Sequence, residues 1–327
     1  MRDITASELF VAVKELKRLI EGKRLNNFYD LSGKAFRLDF EEASVYIRLG
    51  KTINLTKFKE DAGQASEFAT GIRRHIKGAR LESIKQKGMD RLVLLKFSKG
   101  IERYWLVLEM FAKGNAVLVD SERKIVQVFE RREFKDRSLV PGNRYMLPKA
   151  SSFNLAKSDI AEIEEKLKEA CQQDDKLIRA VSFINIGPVY LDELIRSSGL
   201  DPNMPAKDAL PNLASLSEKL VGFKQILESP EPRAYKSGDQ IVDYSIMPLA
   251  KYSSLDSVLF NSVNDLLDFV FAKERAEIKG EEKKQKLEEL EKSIQKQKEL
   301  AREYASKASA YREIANKIFQ NMQVLNQ

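Results

Sequence analysis

A chain of 327 residues with one cysteine, one histidine and one tryptophan lacks the material for several chemistries. Cys171 alone can form neither an intramolecular disulfide nor a multi-cysteine zinc site. It lies in a helical run, Ile160–Cys171, and reads as a packing residue in a reducing, cytoplasmic setting. A single histidine leaves little for a metal site or a Ser/His triad. His75 follows Arg73-Arg74 on the polar side of a helix and reads as a surface or hydrogen-bonding side chain. Neither common glycine-rich phosphate loop occurs, so nucleotide hydrolysis has no support and no cofactor is expected. Acid pairs such as Glu41-Glu42 fall in turns. No apolar run approaches the roughly 20 residues a membrane helix needs. The N-terminus MRDITASELFVAVKELKRLI carries acids from its third residue and lacks the apolar stretch of a secretion signal. A soluble protein without a membrane partner is expected.

What the chain has instead is positive charge in one place. Lys and Arg outnumber Asp and Glu by 56 to 49 overall, a surplus of seven. Between Gly71 and Lys99 nine basic residues face only Glu82 and Asp90, so this stretch alone equals the whole surplus. The basic positions include Arg73, Arg74, Lys77, Arg80, Lys85 and Lys87, with Arg24 just upstream. Concentrated cationic surface suits a polyanion such as nucleic acid. Within it, Asp90-Arg91 follows Gly88 at a bend between two strand-like runs. One reading is a turn aspartate beside a surface ion pair. The other is an aspartate orienting the planar guanidinium of Arg91 toward phosphate or a base edge. Phe28, Tyr29, Tyr104 and Trp105 are candidates for stacking on bases, although aromatics inside alternating strands also serve as core.

Thr5-Ala-Ser-Glu8 reads as a capping box opening a helix with Leu9, Val13, Leu16 and Ile20 on one face, stopped at Gly22. Lys34–Phe40 and Ser44–Leu49 alternate as half-buried strands around a turn at Glu41-Glu42-Ala43. A helix over Phe68–Ile76 ends at Gly78. Strands are expected at Ala79–Gln86, Leu92–Phe97, Tyr104–Phe111, Ala116–Val119 and Ile125–Phe129. Residues 1–148 thus form an α+β unit, mainly a meandering antiparallel sheet with two helices. Pro148 and the Ser-rich Ala150–Asn154 mark a boundary, after which residues 149–272 are mostly helical, with two small strands between Pro230 and Tyr252. Lys176–Ile184, the turn Asn185-Ile-Gly-Pro188 and Val189–Ser198 suggest a helix-hairpin-helix. In such a motif the backbone around Gly187, Pro188 and Val189 grips a phosphate. An ordinary αα-hairpin fits the same pattern, and Asn185 stands where a first glycine is usual.

From Leu287 the period becomes seven. Positions 287, 290, 294, 297, 301, 304, 308, 311, 315, 318, 322 and 325 are apolar except for Gln297, a coiled-coil seam. Lys and Glu nearly balance along it, so its charge reads as a solvated face. No second long heptad run lies upstream. The seam is expected to pair either with a returning helix of a longer natural protein, the favoured expectation, or with a second chain, which makes residues 273–327 the first arm of a coiled coil.

These pieces resemble the N-terminal half of the NFACT family, ribosome-associated quality-control factors known as RqcH and NEMF, some once labelled fibronectin-binding proteins. The resemblance rests on Gly22-Lys-Arg24-Leu-Asn-Asn-Phe-Tyr29, Ile53-Asn-Leu-Thr56, Phe68-xxx-Ile72-Arg-Arg-His-Ile76, Gly78-Ala-Arg-Leu, and above all Gln86-Lys-Gly-Met-Asp-Arg91. It continues through Gly114-Asn115-Ala-Val-Leu-Val-Asp120, Gly142-Asn-Arg-Tyr-Met-Leu-Pro148 and Phe260–Phe271. It implies a domain like the lobes of formamidopyrimidine-DNA glycosylases, a helix-hairpin-helix domain and an antiparallel coiled-coil arm. It also implies binding to obstructed large ribosomal subunits carrying peptidyl-tRNA. Charged tRNA, alanyl-tRNA in prokaryotes, would be recruited for tailing without mRNA, with peptide bonds made by the ribosome. Asp90 and Arg91 match the family's tailing signature.

Two other readings share parts of this pattern. A DNA glycosylase would share the implied fold, but those enzymes use a proline after Met1 where this chain has Arg2, and one cysteine cannot build their zinc finger. An adhesion or scaffold protein would use the coiled coil, against the focused basic charge and the lack of a secretion signal.

Overall fold

The computed structural model describes residues 1–31, 34–59, 65–148 and 153–322, with the side chains of 273, 274 and 276–286 left aside. Leu325 of the heptad seam, and most of the Ser-rich boundary at Ala150–Asn154, lie outside the described residues. Residues Met1–Glu274 form one compact unit and Arg275–Gln327 a second.

The first unit begins with α1, Ala6–Ile20, whose capping box is complete. The Thr5 hydroxyl accepts from the Glu8 amide, and the Glu8 carboxylate accepts from the Thr5 amide. Its buried stripe holds Leu9, Val13, Leu16 and Ile20, as the spacing predicts. Four antiparallel strands follow: β1 Leu25–Leu31, β2 Ala35–Phe40, β3 Ser44–Arg48 and β4 Thr52–Leu55. After α2, Glu67–Ile76, comes a second meander: β5 Arg80–Gln86, β6 Leu92–Lys99, β7 Glu102–Glu109, β8 Asn115–Val119 and β9 Ile125–Val128. Instead of one main sheet there are two, of four and of five strands. β1 and β4 escape a reading by pattern because one carries Asn26, Asn27 and Asp30, residues poor in strands, and the other is four residues long; pairing with β2 and β3 overrides local preference.

Backbone hydrogen bonds between residues 22–25 and 78–81 link the sheets, notably Gly78 N–H to the Leu25 carbonyl (2.7 Å) and Gly22 N–H to the Leu81 carbonyl (2.8 Å). Phe28 and Phe36 of the first sheet meet Phe68 of α2 and Phe129 beyond β9, with ring centroids 5.1–6.0 Å apart. Edge-on and tilted contacts of this kind add about 0.5–1.5 kcal/mol per pair beyond area burial. Leu95, Phe97, Leu106 and Leu108 face this main core, while Leu92, Val107, Val117 and Val119 face a smaller cluster on the other side. That outer cluster is roofed by the excursion carrying β10 (Arg132–Glu133) and β11 (Ser138–Leu139). The buried pair Arg137–Glu109, with the Tyr145 hydroxyl donating to Glu109 (2.9 Å), pins the roof down.

The helical part contains α3 (Ile160–Cys171), α4 (Leu177–Ala180) continuing as a 3-10 turn to Ile184, α5 (Pro188–Ser197) and α6 (Leu213–Glu228). Cys171 is buried and unbonded to any other sulfur, in keeping with a packing role. A three-stranded sheet of β12 (Arg233–Ser237), β13 (Gln240–Ser245) and β14 (Asp256–Leu259) closes the unit, one strand more than the pattern suggested. The last helix, α7, starts at Val263 and runs to Gln320. In the second unit residues 287–322 are exposed throughout, the seam residues Leu287, Leu290, Ile294, Tyr304, Tyr311, Ile318 and Met322 included. Among the described residues no helix is long and apolar enough to cross a membrane, and no group of three or more His, Cys, Asp or Glu could hold a metal ion.

Candidate nucleic-acid interface

The bend after β5 is built from inside outward. Met89 is buried and anchors it, while Gly88 takes a positive φ of 58°. Lys87 N–H donates to the Leu92 carbonyl (2.9 Å) and Asp90 N–H to the Lys87 carbonyl (3.1 Å). The Gln86 amide donates to the carbonyls of Asp90 (2.8 Å) and Ala6 (3.1 Å), which ties the bend to the first turn of α1. Arg91 is half-buried, its side chain 27% exposed, with Nη1 3.3 Å from the Ile4 carbonyl and 3.7 Å from the Asp3 carboxylate.

The segment 185–189, 96 residues away in sequence, docks on the same bend. Asn185 adopts the left-handed conformation (φ 57°, ψ 30°) that a glycine would otherwise supply. Its amide donates to the Met89 carbonyl (2.8 Å) and to the Asp90 carboxylate (3.3 Å). Ser7 Oγ donates to the Ile186 carbonyl (2.7 Å). Gly187 caps α5 without a side chain, and Pro188 occupies the first helical position, where a missing N–H costs nothing. A cavity of about 680 Å³ results, bounded by Arg91, Asn185, Gly187, Pro188, Val189, Ile4, Arg2, Lys251 and the carboxylates of Asp3, Asp192 and Asp243. Asn185 had a legible signal, because asparagine is several-fold enriched at positive φ. The part played by Asp3 had none, since nothing local couples it to residue 91.

In the wall of this cavity, Arg2 is bound into the fold. Its guanidinium donates to Glu8 (2.9 Å through Nη1), to Asp243 (2.7 Å) and to the Tyr244 carbonyl, and it lies 4.0 Å from the centre of the Tyr244 ring. Burial pulls its pKa down, but the Glu8 carboxylate more than offsets this and holds the charge. Glu8, fully buried, also accepts from the Tyr190 hydroxyl (2.6 Å), which in turn accepts from the Ile246 amide (3.0 Å).

The remaining cations divide between faces. Arg24 and Arg80 are bridged neighbours where the two sheets join, with Arg24 Nη1 on the Gly78 carbonyl (3.1 Å) and exposed Lys77 adjacent in sequence. Arg80 lines an open groove of about 890 Å³ with Lys14, Lys17 and Arg18 of α1, together with Glu21 and Glu82. Arg73 is half-buried, donates to the Phe28 carbonyl (2.6 Å) and lies 5.5 Å from the Tyr29 ring centre; Arg74 is exposed. His75 Nδ1 is 3.2 Å from the Tyr104 hydroxyl. Partial burial lowers its pKa, helped by Arg74 and Lys99 and opposed by Glu102. Lys85 sits on the opposite side of the five-stranded sheet, facing outward with Leu94 and Trp105, and Lys87 is half-buried in the bend. Charge that is continuous in sequence is thus split by the sheet, with the α2 cations on one side and Lys85 on the other.

Residues 7–327 match the family described as NFACT N-terminal and middle domains. The chain belongs to the NFACT family. It is 25% identical over 355 aligned positions to the archaeal Rqc2 homolog aRqcH of Methanocaldococcus jannaschii, an alignment covering 99% of this chain and 51% of that protein. It is 36% identical over 165 positions to the ribosome quality control complex subunit 2 of Schizosaccharomyces pombe, covering 47% of this chain and 16% of the relative. The NFACT chain described here therefore spans about half the length of the archaeal protein, and less of the yeast one. In fold it is similar to the N-terminal part of the fibronectin/fibrinogen-binding protein of Streptococcus suis, with a TM-score of 0.67 at 20% identity, covering 83% of this chain and all of that one.

Proposed function

We propose that this NFACT chain is the RNA-handling part of a ribosome quality-control factor. In this reading it recognises large ribosomal subunits obstructed by peptidyl-tRNA and brings charged tRNA, alanyl-tRNA in prokaryotes, for tailing of the stalled chain without mRNA. It carries no catalytic residue for that reaction and works in the cytoplasm as an adaptor, with the ribosome making the peptide bonds. Its division would be an NFACT-N domain over 1–148, a helix-hairpin-helix and associated helical domain over 149–272, and a coiled-coil arm over 273–327 whose exposed seam takes a second helix.

Family membership and the ribosome quality-control names of the relatives support this reading. The observation that carries it is the shared cavity of Arg91 and the Gly187-Pro188-Val189 turn. A guanidinium suited to phosphate or a base edge and a helix N-terminus with uncapped amides there face one space, the pairing expected of a grip on folded RNA. Asp90 contributes by holding Asn185, and hence the hairpin, against the bend. Arg24, Arg73, Arg74, His75, Lys77, Arg80, Lys85 and Lys87 would supply sequence-independent attraction through counterion release. A glycosylase reading finds no nucleophile at position 2, where Arg2 is engaged by Glu8 and Asp243.

The test is tRNA binding by the 327-residue chain, followed by anisotropy at several salt concentrations. Binding should weaken steeply with salt, and Arg91→Glu should reduce it further. In the complete protein, Asp90→Ala with Arg91→Ala should leave folding intact and abolish tailing. Salt-independent binding that ignores Arg91→Glu, or normal tailing by the double variant, would remove the assignment.

A further inference from the structure

The outer face of the five-stranded sheet carries a second, smaller pocket of about 340 Å³, away from Arg91 and the hairpin. Strand register builds its floor. Trp105 on β7 stands between Lys96 on β6 and Val119 on β8, and Val107 stands opposite Leu94, so all five side chains share one face. Tyr145 and Leu147 form a wall from the excursion that roofs the outer cluster. That wall is held rigidly: Tyr145 N–H donates to the Arg123 carbonyl (2.7 Å), its hydroxyl is bonded to buried Glu109, and Arg137 closes on the same carboxylate.

The charges at the rim are of one sign. Lys85 and Arg123 line the pocket, both are exposed, and neither has a carboxylate partner among the described residues. None of the lining residues is acidic. Lys96, 5.6 Å from the Trp105 ring centre, supports the indole and is paired with Glu82 at 2.7 Å, a carboxylate it shares with Arg103 at 3.0 Å. An aromatic platform with a half-exposed face, an apolar floor and two unpaired cations is the composition that binds a stacked base and the phosphates flanking it. At the lower end of the roughly 300–1,000 Å³ of small-molecule sites, the pocket admits one splayed-out base and excludes a base pair.

We propose that this pocket takes a single unstacked nucleotide of RNA, its base on Trp105 between Tyr145 and Leu94, with Lys85 and Arg123 on the adjacent phosphates. The inference rests on the RNA-binding reading above and adds a second contact on the other side of the sheet from α2. A neutral aromatic peptide would use the platform but leave both cations without a counter-charge, so the rim favours the nucleotide.

Trp105 is the only tryptophan, so intrinsic fluorescence reports on this pocket alone. The 327-residue chain is titrated with a single-stranded penta-adenylate, with the same strand in a duplex, and with a phenylalanine-containing tripeptide, while total RNA binding is followed separately by anisotropy of labelled tRNA. The single strand should quench Trp105 saturably, the duplex and the peptide should not, and Lys85→Glu with Arg123→Asp should weaken the response by about tenfold at low salt. Both positions are exposed, and aspartate tolerates the positive φ of 65° at residue 123. If tRNA binds by anisotropy while Trp105 is silent to the single strand, this pocket is not a nucleotide site and the proposed function stands. Quenching by the peptide rather than the oligonucleotide overturns it in favour of a protein ligand. Absence of any RNA binding overturns both readings.

Discussion

Replacing Gly187 by alanine tests whether the hairpin and the Asp90-Arg91 bend act as one assembly. Gly187 has φ 105° and ψ 142°, an extended conformation on the positive side of the map that glycine alone enters freely, at a cost of order 1–3 kcal/mol for other residues. A Cβ at this position would lie 2.6 Å from both Cβ and Cγ2 of Thr5, the residue that caps α1. Forcing the two apart is an overpacking of about 1–3 kcal/mol. The two contributions together predict a loss of about 2–6 kcal/mol for Gly187→Ala, read as a fall in the urea midpoint followed through Trp105. Gly199→Ala serves as the internal control: its φ is 79°, but nothing lies within 4 Å of the added carbon, so only the backbone cost of about 1–2 kcal/mol applies. Adding Thr5→Gly to Gly187→Ala removes the clash but not the strain, so the double variant should recover part of the loss, a coupling of about 1–3 kcal/mol against the cost of the lost cap. Because the same displacement lifts Asn185 from Met89 and Asp90, tRNA affinity should drop together with stability. A Gly187→Ala protein no less stable than Gly199→Ala, with tRNA binding unchanged, would refute the coupling.

Glu8→Ala should be among the most damaging single changes in α1, about 2–4 kcal/mol by chemical denaturation, because it removes the acceptor of the buried Tyr190 hydroxyl and the carboxylate of the capping box, and leaves Asp243 as the one carboxylate on Arg2. Arg137→Ala, which leaves the Glu109 carboxylate buried with only Tyr145, should cost a similar amount and loosen the roof over Trp105, visible as a shifted emission maximum. His75 titrates below its ordinary 6.5, so the unfolded chain binds more protons as pH falls through that window. Its depressed pKa therefore leaves stability unaffected above 6.5 and destabilises the fold progressively as pH falls below it. The single imidazole resonance should show the depressed value by NMR, moving lower still in Glu102→Gln, since that carboxylate raises it. An imidazole titrating above 6.5 in the free protein would contradict the account, whereas a rise on adding tRNA would mark phosphate arriving beside Arg74.

Local chemistry made some of this molecule legible before folding. The capping box at Thr5 and Glu8, the helical stripe from Leu9 to Ile20, the turn at Glu41-Glu42-Ala43 and the alternation along β2 and β3 depend on neighbours a few residues apart. Backbone geometry and side-chain period therefore specify them. The Gln86-Lys-Gly-Met-Asp-Arg91 piece announced the family, and the cluster of cations between Gly71 and Lys99 raised the expectation of a polyanionic partner. Long-range packing decided the rest. The sheet sends Arg73 and Lys85 to opposite sides, because alternate residues of a strand point to opposite faces and α2 covers only one of them. Asn185 reaches Asp90, Arg91 reaches Asp3, and Trp105 gains a wall from Tyr145, each across a span that no periodicity encodes. Which charges share a surface is a property of how the strands pair and which face the helices bury, so a run of positive residues raised the expectation of a polyanion while only the folded chain determined which of those charges stand together.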